Sequence, residues 1–119
     1  MSKRGDRDFL LDIREAAERI IGYISEMNYE QFLTDIKTQD AVVRNLEIIG
    51  EAVKNLSKAL KKEHGEVEWK QIAGMRDKII HQYFGIQWDI VWSAINDKIP
   101  PLKEKIEEMI KQGQKGLFN

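Results

Sequence analysis

The chain has 119 residues, of which 42% are hydrophobic and 33% are charged, and its formal net charge is -1. These values are typical of one globular domain with a single core, and they argue against a disordered chain. The near-neutral charge excludes a generic, strongly basic nucleic-acid binder. Any contact with RNA must therefore come from a local patch of the surface.

Cysteine usage and hydropathy narrow the cellular setting. The chain contains no cysteine, which excludes disulfides, thiolate zinc sites and cysteine nucleophiles, and which fits a reducing cytoplasm. It shows neither the apolar region of a signal peptide nor an apolar run of the roughly 20 residues that span a bilayer. We expect a single domain over residues 1–119, located in the cytoplasm and without a membrane segment.

The first predicted helix covers residues 6–27, because apolar residues recur there at three- and four-residue spacing. Asp6 and Asp8 are both candidates for the residue that caps its start. Asn28 marks a break in this pattern, and residues 29–33 are expected to form one short helical turn.

The second predicted helix covers residues 38–64, with Thr38 as its N-terminal cap and Gly65 as its C-terminal stop. Its apolar residues form one long stripe at near-heptad spacing. A helix of about 25 residues is roughly 37 Å long, which exceeds what a small bundle needs. This length suggests that part of the stripe contacts a partner.

The third predicted helix covers residues 69–83 and ends near Gly85, and the fourth begins near Gln87. The prolines at 100–101 are expected to stop or kink the fourth helix. A last helical segment is predicted over 102–110, followed by a frayed tail over 112–119. Together these elements predict an all-α fold, an antiparallel bundle of four or five helices.

One segment of the third helix combines a permanent cation, a carboxylate, an imidazole and a phenol, in the residues Arg76, Asp77, His81 and Tyr83. Arginine binds phosphate and histidine transfers protons near neutral pH, which together suffice for cleavage of RNA without a metal. In this interpretation His81 exchanges a proton with the ribose 2′-hydroxyl or the leaving 5′-oxygen, and Arg76 neutralises the transition state. Asp77 orients one of these two groups, and Tyr83 contacts phosphate or a base.

The spacing of Arg76 and His81 constrains this hypothesis. The two residues are five positions apart, which places them roughly 140° apart around an ideal helix. Their end groups meet only if the long arginine bridges the gap, if the helix deforms near Gly85, or if a second copy contributes. A two-fold dimer brings two such sets into one cleft, so the spacing favours a composite site.

A structural interpretation of the same residues competes with the catalytic one. The cluster of Arg76, Asp77, His81 and Tyr83 is also typical of a buried polar network that fixes packing. His64 is expected to be a surface residue at a helix end. The tryptophans are expected to be core or interface anchors rather than base-stacking platforms. They are Trp69, Trp88 and Trp92.

Charged residues of the second helix also allow two interpretations. A lysine run is most often a solvated face, although its position before the motif leaves RNA contact as the alternative. The run consists of Lys54, Lys58, Lys61 and Lys62. Glu47 and Glu51 are expected to be salt-bridged surface residues. The chain has neither a phosphate-binding loop nor a metalloprotease motif, so we expect no metal and no cofactor.

Three blocks of sequence resemble the HepT-like family of small HEPN-domain proteins, and the resemblance extends over residues 6–110. The first block is RNLEIIGEA at 44–52. The second is WKQIAGMRD at 69–77, which continues to HQYFG at 81–85. The third is the Val-Trp pair at 91–92 followed by IPPL at 99–102. The R-x4-H-x-Y pattern alone is weak, but in this order and context it is specific.

The resemblance implies a homodimeric helical bundle in which R-x4-H motifs from two protomers line one cleft. It also implies a metal-independent endoribonuclease acting on RNA rather than DNA, the toxin of a type VII toxin–antitoxin pair. The motif maps onto Arg76 and His81, with Asp77 as the polar residue after the arginine, where asparagine is common in the family. Tyr83 corresponds to the tyrosine that receives AMP from a minimal nucleotidyltransferase antitoxin. The alternative is a non-catalytic module that binds nucleotide or docks the nucleotidyltransferase.

Overall fold

The computed structural model describes residues 4–81 and 85–118, with side chains described for 4–78 and 85–113. These residues form seven α-helices and no β-strand, which confirms the all-α class. The helices are α1 (Asp6–Ile24), α2 (Tyr29–Thr34), α3 (Ile36–Asn55), α4 (Lys58–Glu63), α5 (Trp69–His81), α6 (Trp88–Asp97) and α7 (Ile99–Phe118). The five longer ones correspond to the predicted bundle, and α2 and α4 are short helices of six residues each.

The core forms where the longer helices pack side by side. Helix α1 packs against α3 and α7, α6 packs against α7, and α5 packs chiefly against α3. Branched aliphatic side chains from these helices are almost completely buried, including Ile13, Ile20, Ile49, Ile95 and Ile106. The helix that carries the Arg76 motif is therefore held mainly by α3, and α3 residues set its position.

The prediction of a single helix over 38–64 is wrong, because the helix is interrupted between α3 and α4. The Oγ of Ser57 accepts a hydrogen bond from the N–H of Leu60 at 3.1 Å and so caps α4. The carboxylate of Asp6 accepts from Ser57 twice, from its N–H at 2.8 Å and its hydroxyl at 2.6 Å. Since no 25-residue helix exists here, helix length gives no argument for a partner.

The caps of two helices, α1 and α3, differ from the predicted ones. Helix α3 is capped by Asp35 rather than Thr38, and the Asp35 carboxylate accepts from the Thr38 N–H at 3.0 Å. That backbone hydrogen bond lowers the pKa of Asp35 below its ordinary value. Helix α1 starts after Gly5, whose N–H donates to Asp8 at 3.3 Å. Asp8 therefore supports the start of α1, whereas Asp6 bonds to the break before α4.

The two prolines begin a helix instead of ending one. Helix α6 ends at Asp97, and Pro100 and Pro101 lie in the first turn of α7. The first turn tolerates proline because its N–H groups have no partner within the helix. Helix α7 therefore starts three residues before the predicted segment and continues past its predicted end to Phe118. No helix among the described residues is long and apolar enough to cross a membrane.

The aromatic residues pack as the sequence predicts. The Phe32 ring of α2 lies 5.7 Å from the Trp88 ring and 5.1 Å from the Trp92 ring, measured between centroids. Trp69 is buried, and its indole N–H donates to the carbonyl of His64 at 3.0 Å. These contacts confirm that the tryptophans anchor helices against one another.

Candidate active site

Helix α5 carries three of the four residues of the predicted motif. Arg76 and Asp77 lie in its second half, and His81 is its last residue. Because both Arg76 and His81 lie within the helix, their separation of roughly 140° around its axis stands as predicted. The side chain of His81 and the whole of Tyr83 lie outside the described residues, so their positions remain predictions.

Gly50 allows α5 to approach α3 closely at Arg76. A Cβ atom added at Gly50 would lie 2.6 Å from the Cβ of Arg76 and 3.6 Å from the carbonyl oxygen of Ala73. Cβ atoms in proteins essentially never approach another heavy atom as closely as the shorter of these distances. Only glycine fits here without moving a helix, and its lack of a side chain brings the first carbons of Arg76 against the α3 backbone.

Two cations and two carboxylates meet where these helices touch, and we call Glu51, Lys54, Arg76 and Asp77 the four-charge cluster. The Nε of Arg76 lies 3.3 Å from Oε2 of Glu51, and its Nη1 lies 3.6 Å from Oδ1 of Asp77. The Nζ of Lys54 donates to the same Oδ1 of Asp77 at 2.9 Å. Helix α3 thus supplies one cation and one carboxylate, and α5 supplies the other pair.

The four-charge cluster is open to solvent. The side chain of Arg76 is 32% exposed, and those of Glu51 and Asp77 are 57% and 50% exposed. A sealed polar network inside the core is therefore the wrong interpretation for Arg76 and Asp77. Because exposed ion pairs contribute only about 0–1 kcal/mol each, the cluster adds little to the stability of the fold.

Sequence reasoning missed two residues of this cluster and the glycine beside it. The prediction that Glu51 is a salt-bridged surface residue is confirmed, but the sequence does not reveal Arg76 as its partner. Lys54 stands out in the sequence only as part of a lysine run. A glycine inside the long apolar stripe was the available signal, because Gly50 marks where a second helix comes close and Glu51 and Lys54 follow within one turn.

An exposed apolar groove lies beside the motif between α3, α5 and α6. Its volume is about 370 Å³, and Met75 and Lys78 line it from α5. A second groove of about 400 Å³ shares Ile86 with the first. Ile90 lines the first groove and is 59% exposed. Ile36 lines the second groove and is 70% exposed. The first groove, which Met75 lines one residue before Arg76, thus exposes apolar area of the kind that protein partners cover.

Grouped metal ligands are not found in the part of the chain that the structure describes. No three histidine, cysteine, aspartate or glutamate side chains there are arranged as a metal site would require.

The family model described as Ribonuclease HepT-like matches residues 13–109 of this chain. The chain belongs to the ribonuclease HepT-like family. This confirms the resemblance that the three sequence blocks indicated. The matched region includes α3 and α5, so the whole four-charge cluster lies on the HepT-like part of the chain.

Two HepT-like relatives are similar to this chain along nearly their whole length. A protein of Methanocaldococcus jannaschii named "Putative RNase MJ0127" is 47% identical over 111 residues, covering 93% of this chain and 92% of the relative. A protein of Thermococcus cleftensis named "Probable ribonuclease HepT" is 48% identical over 109 residues, covering 92% and 99%. No solved structure gave a significant match.

Proposed function

We propose that this chain is a metal-independent endoribonuclease in which Arg76 and His81 act on one RNA phosphodiester. The observation that carries this proposal is the Arg76 guanidinium, which is held by Glu51 at 3.3 Å and yet remains 32% exposed on a HepT-like scaffold. A fixed, accessible guanidinium is suited to bind a phosphate. The ribonuclease names of the relatives support the same activity.

The reaction needs one proton removed and one proton supplied. A histidine base removes the proton of the ribose 2′-hydroxyl, and the oxygen attacks phosphorus to give a 2′,3′-cyclic phosphate. The bond to the 5′-oxygen breaks, and that oxygen receives a proton from an acid. Arg76 stabilises the negative charge that develops on the phosphoryl oxygens. One His81 fills either proton-transfer role, and a second copy of the chain supplies the other.

We propose a homodimer as the active form. The separation of roughly 140° between Arg76 and His81 on one ideal helix favours a site that two copies share. The exposed apolar groove beside Arg76 supports this arrangement, because a second copy that covers Ile90 and its neighbours comes to lie next to the motif. Each protomer then adds its own histidine to a common cleft.

We further propose that the chain is the toxin of a type VII toxin–antitoxin pair and acts in the cytoplasm. A minimal nucleotidyltransferase antitoxin transfers the AMP group of ATP to the Tyr83 hydroxyl, two residues after His81. The hydroxyl loses its proton, and pyrophosphate leaves. The added nucleotide fills the space beside the histidine and brings a negative charge to the place where a phosphate binds. This part of the proposal is supported by the resemblance of the sequence motif to that of HepT toxins.

Intact-mass measurement tests the modification at Tyr83. After co-expression with a minimal nucleotidyltransferase encoded beside this chain's gene, we expect the wild-type chain to gain the mass of AMP less one water. The Tyr83→Phe variant, which loses only the hydroxyl, should gain none. A wild-type chain that is silenced by the nucleotidyltransferase without any added mass would show that inhibition works by another route.

A second candidate function is a non-catalytic module that binds nucleotide or docks the nucleotidyltransferase. The charge balance of the four-charge cluster favours it, because Glu51 and Asp77 offset the positive charge of Arg76 and Lys54. A site without excess positive charge attracts RNA less strongly. Cleavage distinguishes the two functions, since a docking module leaves RNA intact in every form.

Incubation of purified protein with RNA in EDTA tests the proposed activity. We expect the wild-type chain to cleave RNA and to leave 2′,3′-cyclic phosphate ends, and we expect His81→Ala to reduce the rate by about 10²- to 10⁴-fold, because a general acid–base group is lost. Both proteins are purified in parallel, so a contaminating nuclease appears as equal activity in the two samples. Equal activity, or none in the wild type, would contradict the proposal.

A further inference from the structure

One lysine of the run over α3 and α4 reaches the candidate active site. The Nζ of Lys54 donates to Oδ1 of Asp77 at 2.9 Å, and the Lys54 side chain is 39% exposed. Lys61 instead directs its Nζ to the backbone carbonyl of Val53 at 3.3 Å. The run is therefore not a uniform solvated face, since Lys54 belongs to the four-charge cluster.

Lys54 and Arg76 converge on a single oxygen atom. Oδ1 of Asp77 lies 2.9 Å from the Lys54 ammonium and 3.6 Å from Nη1 of Arg76. Two cations that approach one anionic oxygen also lie close enough to contact one phosphodiester or two neighbouring ones, since phosphate presents charged oxygens of the same kind. The arrangement joins a rigid guanidinium fork from α5 to a flexible ammonium from α3.

Because these groups are exposed, the two cations can exchange the Asp77 carboxylate for a phosphate with little loss of free energy. An ion pair between exposed side chains contributes little free energy, so the Lys54 ammonium separates readily from Asp77. In the protein without RNA, Asp77 holds the two cations near each other and offsets their repulsion. When a phosphate is present, its negative charge takes over that role.

We propose that Lys54 is a second RNA-binding residue of this site, contacting a phosphate beside the one that Arg76 binds, and that Asp77 positions it there before RNA arrives. The inference rests on the proposed function, because it takes RNA as the ligand. It assigns the α3 helix a direct part in substrate binding, whereas Arg76 and His81 of the sequence motif lie on α5.

The test measures RNA binding against salt concentration in a protein that does not consume its ligand. The background is the full-length His81→Ala protein, and the probe is a fluorescently labelled single-stranded RNA followed by anisotropy. Adding Lys54→Gln should weaken binding and make the salt dependence shallower by about 0.7 in the log–log slope, the value for one lost phosphate contact. Lys58→Gln is the matched control, a lysine of α4 that is exposed, and should leave the slope unchanged.

A cleavage assay separates a binding role from a structural one. In the protein with His81 intact, Lys54→Gln should raise KM and leave kcat within about twofold, as expected for a contact made equally in the ground and transition states. Thermal unfolding should be unchanged, because the Lys54–Asp77 pair is exposed. A lower melting temperature with unchanged KM would identify a structural lysine and overturn the proposal.

The remaining outcomes keep the two proposals distinguishable. An unchanged salt slope in Lys54→Gln, or an equal change in Lys58→Gln, overturns the role of Lys54 even if the wild-type chain cleaves RNA. A reduced slope in Lys54→Gln supports it even if the wild-type chain cleaves nothing, and in that case the ribonuclease proposal fails alone. Failure of the background protein to bind the probe at low salt overturns the role of Lys54, whereas cleavage by the wild-type chain alone decides the ribonuclease proposal.

Discussion

Arg76→Ala is expected to lower the rate of RNA cleavage by about 10²- to 10³-fold, the usual loss when one donor that stabilises transition-state charge is removed. The same change should lower the free energy of unfolding by no more than about 1 kcal/mol. Among the described residues, the guanidinium forms exposed ion pairs with Glu51 and Asp77. Alanine also keeps the Cβ atom that packs against Gly50. The measurements are initial cleavage rates and chemical denaturation of the same preparations.

Two matched variants sharpen this prediction. Arg19→Ala removes an arginine of α1 that pairs with Glu15 at 3.9 Å, and it should leave cleavage unchanged. Arg76→Lys keeps the charge but loses the planar fork, so its rate should fall between those of the wild type and Arg76→Ala. A large loss of stability in Arg76→Ala with cleavage intact would restore the structural interpretation of the motif.

Gly50→Ala is expected to damage both the fold and the site. The added Cβ would lie 2.6 Å from the Cβ of Arg76, and ordinary contact begins at 3.4 Å. Helix α5 must therefore shift by roughly 1 Å, a displacement that can cost about 10²-fold in rate at an active site. The destabilisation from overpacking exceeds the gain in helix propensity, so the free energy of unfolding should fall by about 1–2 kcal/mol.

Gly74→Ala is the matched control for Gly50→Ala. Gly74 lies on α5 as well, but a Cβ added there meets none of the described residues within 4 Å. Alanine should therefore stabilise the helix by about 0.5–1 kcal/mol and leave cleavage unchanged. If Gly50→Ala proved as stable and as active as Gly74→Ala, the close approach at Arg76 would have no role in positioning the guanidinium.

Helix periodicity predicted most of the fold correctly, and local hydrogen bonds explain where it failed. The apolar spacing alone located α1, α5 and α6 to within a few residues. The same spacing continues across the break between α3 and α4, so it gives no sign that α3 ends at Asn55 or that Ser57 caps the next helix. The bond from Ser57 to Asp6 joins positions 51 residues apart, and a pattern within one helix contains no information about it.

The candidate site could be predicted only along the helix that carries the motif. Arg76 and Asp77 were recognisable because their types and spacing fit phosphate chemistry and a family motif. Glu51 and Lys54 were not, because exposed charged residues on another helix are common and only the packing of α3 on α5 reveals which of them meet Arg76. Gly50 determines that packing, and its effect depends on a contact between helices.

Cleavage rates of Arg76→Ala, His81→Ala and the double variant, measured together with the wild type in EDTA, test the central claim most directly. If the guanidinium and the imidazole act on one phosphodiester, each single change should remove most of the activity. The double variant should then lose far less than the product of the two single losses, because residues that work as a unit are not additive. A single variant that cleaves RNA at the wild-type rate, or a double variant whose loss equals the product of the two single losses, would contradict a shared site.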